Sequence, residues 1–126
     1  MAEAFFNFYS RVHRAYSAGA NGQKYSHKIL GEDRFGKHIV DCMNERGIGI
    51  KGNRPKQLTK EMIRECDAVI WMGDEDYRGY VQDKELYVWN VDDPHHFNYE
   101  RTIKIRDDIE DRVKDLVDKL DNSKPI

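Results

Sequence analysis

Glu85-Leu86-Tyr87-Val88-Trp89-Asn90-Val91-Asp92-Asp93-Pro94 is the stretch that decides the fold. Its first part is short, aromatic and β-branched, the composition of a strand buried on both faces. Two carboxylates and a proline follow, and they end the strand and turn the chain. A second continuous apolar run, Ala68-Val69-Ile70-Trp71-Met72, is bounded by Gly73-Asp74 and reads as a central parallel strand. In parallel α/β sheets, ligands bind just beyond the carboxyl ends of strands. Asp92 and Asp93 therefore stand where acid–base chemistry is expected.

Outward from these strands the pattern changes to helical. Ala2, Phe5, Tyr9 and Val12, widened by Phe6 and Phe8, give an amphipathic helix from Met1 to Val12. His13 to Gly19 reads as a short strand, with residues 14–18 at its heart, and Ala20 to Gly31 as a loop. Phe35, Ile39, Cys42 and Met43 predict a helix over Asp33–Arg46, capped by Asp33 and stopped by Gly47. Ile48 to Pro55 is an extended connector, and Thr59 caps a short helix holding Met62 and Ile63. Tyr77, Tyr80 and Val81 make a partial helical face in Glu75–Lys84. A long helix from Tyr99 to Leu120 buries Ile103, Ile109, Val113, Leu116, Val117 and Leu120. Alternation of this kind implies βαβ units with right-handed crossovers. The expected fold is three-layer α/β, a parallel sheet of about three strands flanked by helices.

Composition sets the outer limits. The chain has 126 residues, enough for one domain spanning 1–126 with a real core. It is 39% hydrophobic and 35% charged, with a net charge of −2, so no global field recruits nucleic acid or an anionic membrane. No apolar run approaches the ~20 residues of a membrane span. Cys42 and Cys66 lack metal-ligand spacing and read as reduced core thiols of a cytoplasmic protein. The adjacent His95 and His96 point apart and have no third ligand at suitable spacing, so no metal and no cofactor are expected. Arg54 and Lys56 form a basic spot too small for nucleic acid. Ser17 lacks the flanking glycines of a nucleophile elbow.

Taken in order, several segments resemble the low-molecular-weight protein tyrosine phosphatase family, with its arsenate reductase relatives. Met1-Ala2-Glu3-Ala4 resembles the segment after the family's phosphate loop, and Tyr16-Ser17-Ala18-Gly19 the end of its second strand. Asn44-Glu45-Arg46-Gly47-Ile48 and Arg54-Pro55-Lys56-Gln57-Leu58 follow its middle section. Ala68–Met72 resembles its third strand, and Asp93-Pro94 the Asp-Pro pair that carries its general acid. The resemblance implies phosphomonoester hydrolysis, with a phosphorylated protein or a small phosphomonoester as substrate and Asp93 as the acid. The reading from residues alone leaves Asp93 open between that role and an ordinary turn or capping aspartate.

The departures are specific. The family's first, central strand and its Cys-x5-Arg-Ser loop have no counterpart here. Six residues after Cys42 is Ile48, and six after Cys66 is Met72. His95 stands where the phosphatase branch has a tyrosine, and the extra cysteines of thioredoxin-coupled arsenate reductases are absent after Met72. The expectation is an N-terminally incomplete phosphatase, inactive as it stands. The alternatives are a non-catalytic phosphatase-like binding module and an arsenate reductase-like protein. Without the first strand, the sheet is expected to compensate. Either residues 14–18 pair directly with 68–72, or a homodimer shares strands and buries the Phe5, Phe6 and Phe8 face.

Overall fold

A computed structural model describes residues 1–19, 28–32, 36–73, 76–93 and 98–122. Ala68–Trp71 forms β1 and Glu85–Val88 forms β2, paired in parallel with Ala68 opposite Glu85 and Trp71 opposite Val88. Four helices surround this pair among the described residues: α1 (Ala2–Tyr9), α2 (Lys37–Asn44), α3 (Lys60–Glu65) and α4 (Tyr99–Asp121). The architecture is α/β, a small parallel sheet flanked by helices.

Side chains alternate across the sheet, as strand geometry requires. Ile70 and Tyr87 pack against the larger core, built from Phe5 and Phe6 of α1, Ile39, Val40, Cys42 and Met43 of α2, and the apolar stripe of α4. Val69, Trp71 and Leu86 meet a smaller cluster with Ile63 of α3 and Val81. The sheet therefore lies between a helical layer of α1, α2 and α4 and a thinner one containing α3.

Local signals account for the helix ends. Thr59 accepts the Met62 amide at 3.2 Å and Asn98 accepts the Arg101 amide at 2.9 Å, each satisfying an orphan N–H of a first turn. Lys84 donates to the carbonyls of Arg64 and Cys66 at 2.8 and 2.7 Å, closing the other end of α3. After α2, Gly47 takes φ +74° and Ile48 N–H returns to the Met43 carbonyl at 3.1 Å. This is a Schellman stop, and it folds Ile48 back into the core beside Met43. Asp33 and Phe35 lie outside the described residues.

Several expectations are corrected. The sheet has two strands among the described residues, not three. Residues 14–18 are not a strand and do not pair with β1. The reason is that α1 takes their backbone bonds. Asn7 accepts the Ala15 amide at 2.8 Å and donates to its carbonyl at 3.1 Å, while Glu3 accepts the Ser17 amide at 2.5 Å. Among the described residues of this segment only Gly19 makes a bridge, to Gln57, through bonds with Lys56 and Leu58.

α1 stops at Tyr9 rather than Val12, because Ser10 turns extended and its hydroxyl accepts the His13 amide at 3.0 Å. Phe5 and Phe6 are already buried within the chain, against α4, and need no dimer to cover them. Phe8 faces solvent. Glu75–Lys84 yields a 3₁₀ turn at Tyr77–Gly79, and β2 ends at Val88 rather than Val91. On α4 the buried positions include Ile105, Arg106 and Glu110, while Ile103 and Leu120 sit at the margin.

Candidate active site

Because β1 and β2 run in parallel, their carboxyl ends open on the same side of the sheet. Beyond β2 the chain continues through Trp89, whose N–H still bonds the Trp71 carbonyl at 3.0 Å, to Asp92 and Asp93. Both aspartates are exposed. Arg101, in the first turn of α4, donates to Asp92 Oδ2 at 2.7 Å. That ion pair ties the turn after β2 to the start of the next helix. The half-exposed geometry makes it a modest contributor to stability, but it fixes where the aspartate turn leaves the sheet. Pro94, His95 and His96 lie outside the described residues.

The cysteines are placed differently from each other. Cys42 is fully buried, its thiol donating to the Ile39 carbonyl at 3.3 Å. Burial pushes its pKa up to about 11. A thiol so protonated is a poor nucleophile at neutral pH. Cys66 is half-buried and donates to the Ile63 carbonyl at 3.1 Å. No disulfide joins them. Ser17 is held by Glu3, its hydroxyl donating at 2.6 Å. Among the described residues, no cluster of histidine, cysteine and carboxylate groups could hold a metal ion, and no helix is long and apolar enough to cross a membrane.

Helical periodicity does not reveal the polar network between α1, α2 and α4. Buried Arg106 donates to the Cys42 carbonyl at 2.8 Å and to Glu45 at 2.9 Å, and also pairs with Asp107. Arg46 bridges Asp107 and Glu110, and Glu110 accepts the Tyr9 hydroxyl at 2.6 Å. The Tyr99 hydroxyl donates to Glu45. Charges alternate along this chain of contacts, so each buried donor meets an acceptor. The bonds from Tyr99 and Arg106 hold the Glu45 carboxyl below its ordinary range. Burial alone would raise the pKa of Asp107, but its bonds from Arg106 and Arg46 outweigh that and lower it. The Tyr99 phenol, donating to Glu45, is pushed up to about 12. The one sequence signal was polarity at Arg106 and Glu110 inside an apolar stripe, which periodicity treats as noise.

Comparison with known proteins adds the family context. The sequence pattern described as "Low molecular weight phosphotyrosine protein phosphatase" matches residues 1–125. A putative arsenate reductase of Halobacterium salinarum is 31% identical over 88 residues, covering 70% of this chain. The matched stretch spans 62% of that relative's length. Among solved structures, the low molecular weight protein tyrosine phosphatase from T. tengcongensis superposes with a TM-score of 0.76 at 22% identity, covering 94% of this chain and 88% of its own. The arsenate reductase from Archaeoglobus fulgidus superposes with a TM-score of 0.71 at 23% identity, covering 92% and 86%. These structural likenesses concern the fold.

Proposed function

Since the chain belongs to the low molecular weight phosphotyrosine protein phosphatase family, we propose that residues 1–126 form one phosphatase-like domain whose parent chemistry is hydrolysis of phosphotyrosine or a small phosphomonoester. Asp93 is the general acid in this reading, protonating the leaving oxygen as the ester bond breaks. The observation that supports it is the exposed aspartate turn just beyond β2, anchored through Asp92 to Arg101. Ligand sites of parallel sheets lie at this end.

The same reading holds that this polypeptide does not turn over substrate by itself. The chemistry implied by the family runs through a thiolate nucleophile, with backbone N–H groups and an arginine around the phosphoryl oxygens. Neither Cys42 nor Cys66 has an arginine six residues on, and Cys42 is buried and protonated. The free thiols also fit a cytoplasmic protein. The test is p-nitrophenyl phosphate hydrolysis by the chain and by Asp93→Asn. Background rates for both are expected. Robust turnover that disappears in Asp93→Asn and in Cys42→Ser would overturn the inactive reading.

An arsenate reductase-like role is the second reading, favoured by the halobacterial relative. Arsenate reduction to arsenite takes two electrons from a pair of thiols and leaves a disulfide that thioredoxin reduces; of this chain's two thiols Cys42 is fully buried and Cys66 half-buried. Thioredoxin-coupled arsenate reduction abolished by Cys66→Ser would move the assignment to that branch. A binding role without chemistry is what remains if both assays are silent in the presence of a well-folded chain.

A further inference from the structure

A groove runs along one side of α2. Lys37, Val40, Asp41 and Asn44 line it at the i, i+3, i+4 and i+7 spacing of a single helix face. Gly31 and Lys51 line it from across. Its volume is about 310 Å³, within the range of small-ligand sites. The facing wall is held in place by backbone bonds. Leu30 N–H donates to the Asn53 carbonyl at 2.8 Å, and Gly52 N–H donates to the Leu30 carbonyl at 2.7 Å. Gly31 has φ +92°, and a Cβ there would stand 2.8 Å from Cγ of Lys51. The glycine therefore lets the lysine stem lie across it.

The polar side chains of this groove are uncommitted. Among the described residues, Lys37, Asp41, Asn44 and Lys51 make no side-chain hydrogen bond or ion pair. None of the lining residues takes part in the aspartate turn or in the network around Arg106. Two of the charges also stand against the helix dipole. Lys37 is in the first turn of α2 and Asp41 in the last, while α2 has no acidic residue in its first turn and no basic one in its last. An anion beside Lys37 and a cation beside Asp41 supply the charges that each end favours. Between them the floor is apolar, since Val40 is buried.

We propose that the groove binds a short linear amino-carboxylate. Lys37 and Lys51 take the carboxylate, Asp41 and the Asn44 amide oxygen take the ammonium, and the carbon chain lies over Val40. The spacing along α2 sets the length. From Lys37 to Asp41 and to Asn44 the helix rises about 6 Å and about 10 Å, at ~1.5 Å per residue. An α-amino acid, whose charged groups share one carbon, is too short to reach both ends. A ligand with about five carbons between its charges fits. The site is independent of the phosphatase reading, because it uses neither Asp93 nor a thiol.

Amide chemical shifts of the isotope-labelled chain, titrated with ε-aminocaproate, caproate or hexylamine, test this. ε-Aminocaproate should shift the amides of Gly31, Lys37–Asn44 and Lys51 saturably, with a millimolar Kd, as so small a ligand allows. It should bind about threefold to fivefold more tightly than either analogue with a single charge, the increment of an exposed ion pair. Lys51→Met keeps a stem over Gly31 and removes the charge, and should weaken ε-aminocaproate and caproate alike. Asp41→Asn should bring ε-aminocaproate down to the level of caproate without weakening caproate. The absence of any saturable shift at tens of millimolar ligand overturns the proposal. So do shifts centred elsewhere in the chain, and equal affinity for ε-aminocaproate and caproate. Folded variants that bind as the parent chain does overturn it as well. If a variant fails to fold, the comparison of the ligands on the unmodified chain decides.

Discussion

Asn7 pairs with Ala15 twice, accepting its amide at 2.8 Å and donating to its carbonyl at 3.1 Å. A side-chain amide here does what a neighbouring strand would do, presenting one donor and one acceptor to an extended backbone. Glu3 repeats the acceptor half at Ser17, one turn earlier on α1. The stretch after α1 is thereby tied to a helix instead of a sheet. Ser10 and Arg11 extend the attachment to Asp121 at the far end of α4.

Asn7→Asp should expose that dependence. The variant keeps an acceptor for the Ala15 amide but sets a carboxylate against the Ala15 carbonyl. A loss of about 1–3 kcal/mol is expected, from one donor removed and one acceptor left unpaired. Urea unfolding measures it. A midpoint unchanged from that of the parent chain would show that the pairing contributes nothing.

Phe5 and Phe8 should behave as opposites although they lie on one short helix. Phe5 is wholly buried, whereas Phe8 is 61% exposed. Phe5→Ala should cost about 3–5 kcal/mol through lost burial and an unfilled cavity. Phe8→Ala should fall within about 0.5 kcal/mol of the parent chain, as surface substitutions do. Comparable losses at both sites would mean that α1 is rotated from its described orientation.

Stability should decline at both ends of the pH range through the Glu45 network. The folded pKa values of Glu45 and Asp107 are lowered, so the unfolded chain binds protons first on acidification. Their contribution is present above their unfolded values near 4 and is lost as pH falls through the folded ones. The Tyr99 pKa is pushed up to about 12. Its contribution is present below the unfolded value near 10 and is lost as pH rises toward about 12. Urea midpoints from pH 2 to 12 read both limbs. Glu45→Gln should flatten each of them, because it removes the titrating carboxylate and leaves Tyr99 only a neutral amide oxygen to donate to. Limbs as steep in Glu45→Gln as in the parent chain would show that the network does not set them.

The two cysteines should separate by reactivity. Cys42 combines complete burial with a pKa of about 11, whereas Cys66 is half-buried. In a Cys66→Ser background, a thiol reagent at neutral pH should label Cys42 only as fast as the chain opens, and rapidly in denaturant. Native labelling of Cys42 as fast as that of a small free thiol would reopen a nucleophilic role.

Much of this structure is legible from sequence because local rules decide it. The apolar runs at Ala68–Met72 and Glu85–Val91 carry β1 and β2, because short β-branched and aromatic segments favour a strand. Thr59, Asn98 and Gly47 end helices through bonds reaching only a few residues. The long 3.6-residue stripe after Tyr99 marks α4, and the lack of an arginine six residues after either cysteine is visible in the chain itself. Other features depend on what tertiary packing brings together. Periodicity cannot assign His13–Gly19 to a sheet or to α1, because the competitors for its backbone are Glu3 and Asn7, on a separate element. It cannot place Arg106 and Glu110 inside, because burial of charge is tolerable only where Glu45, Arg46 and Tyr9 arrive from other helices. Nor can it distinguish Phe5 from Phe8, since that depends on which side of α1 meets α4. Sequence settles what each segment can form alone, and tertiary structure settles which polar and apolar groups meet, because those partners lie far apart along the chain.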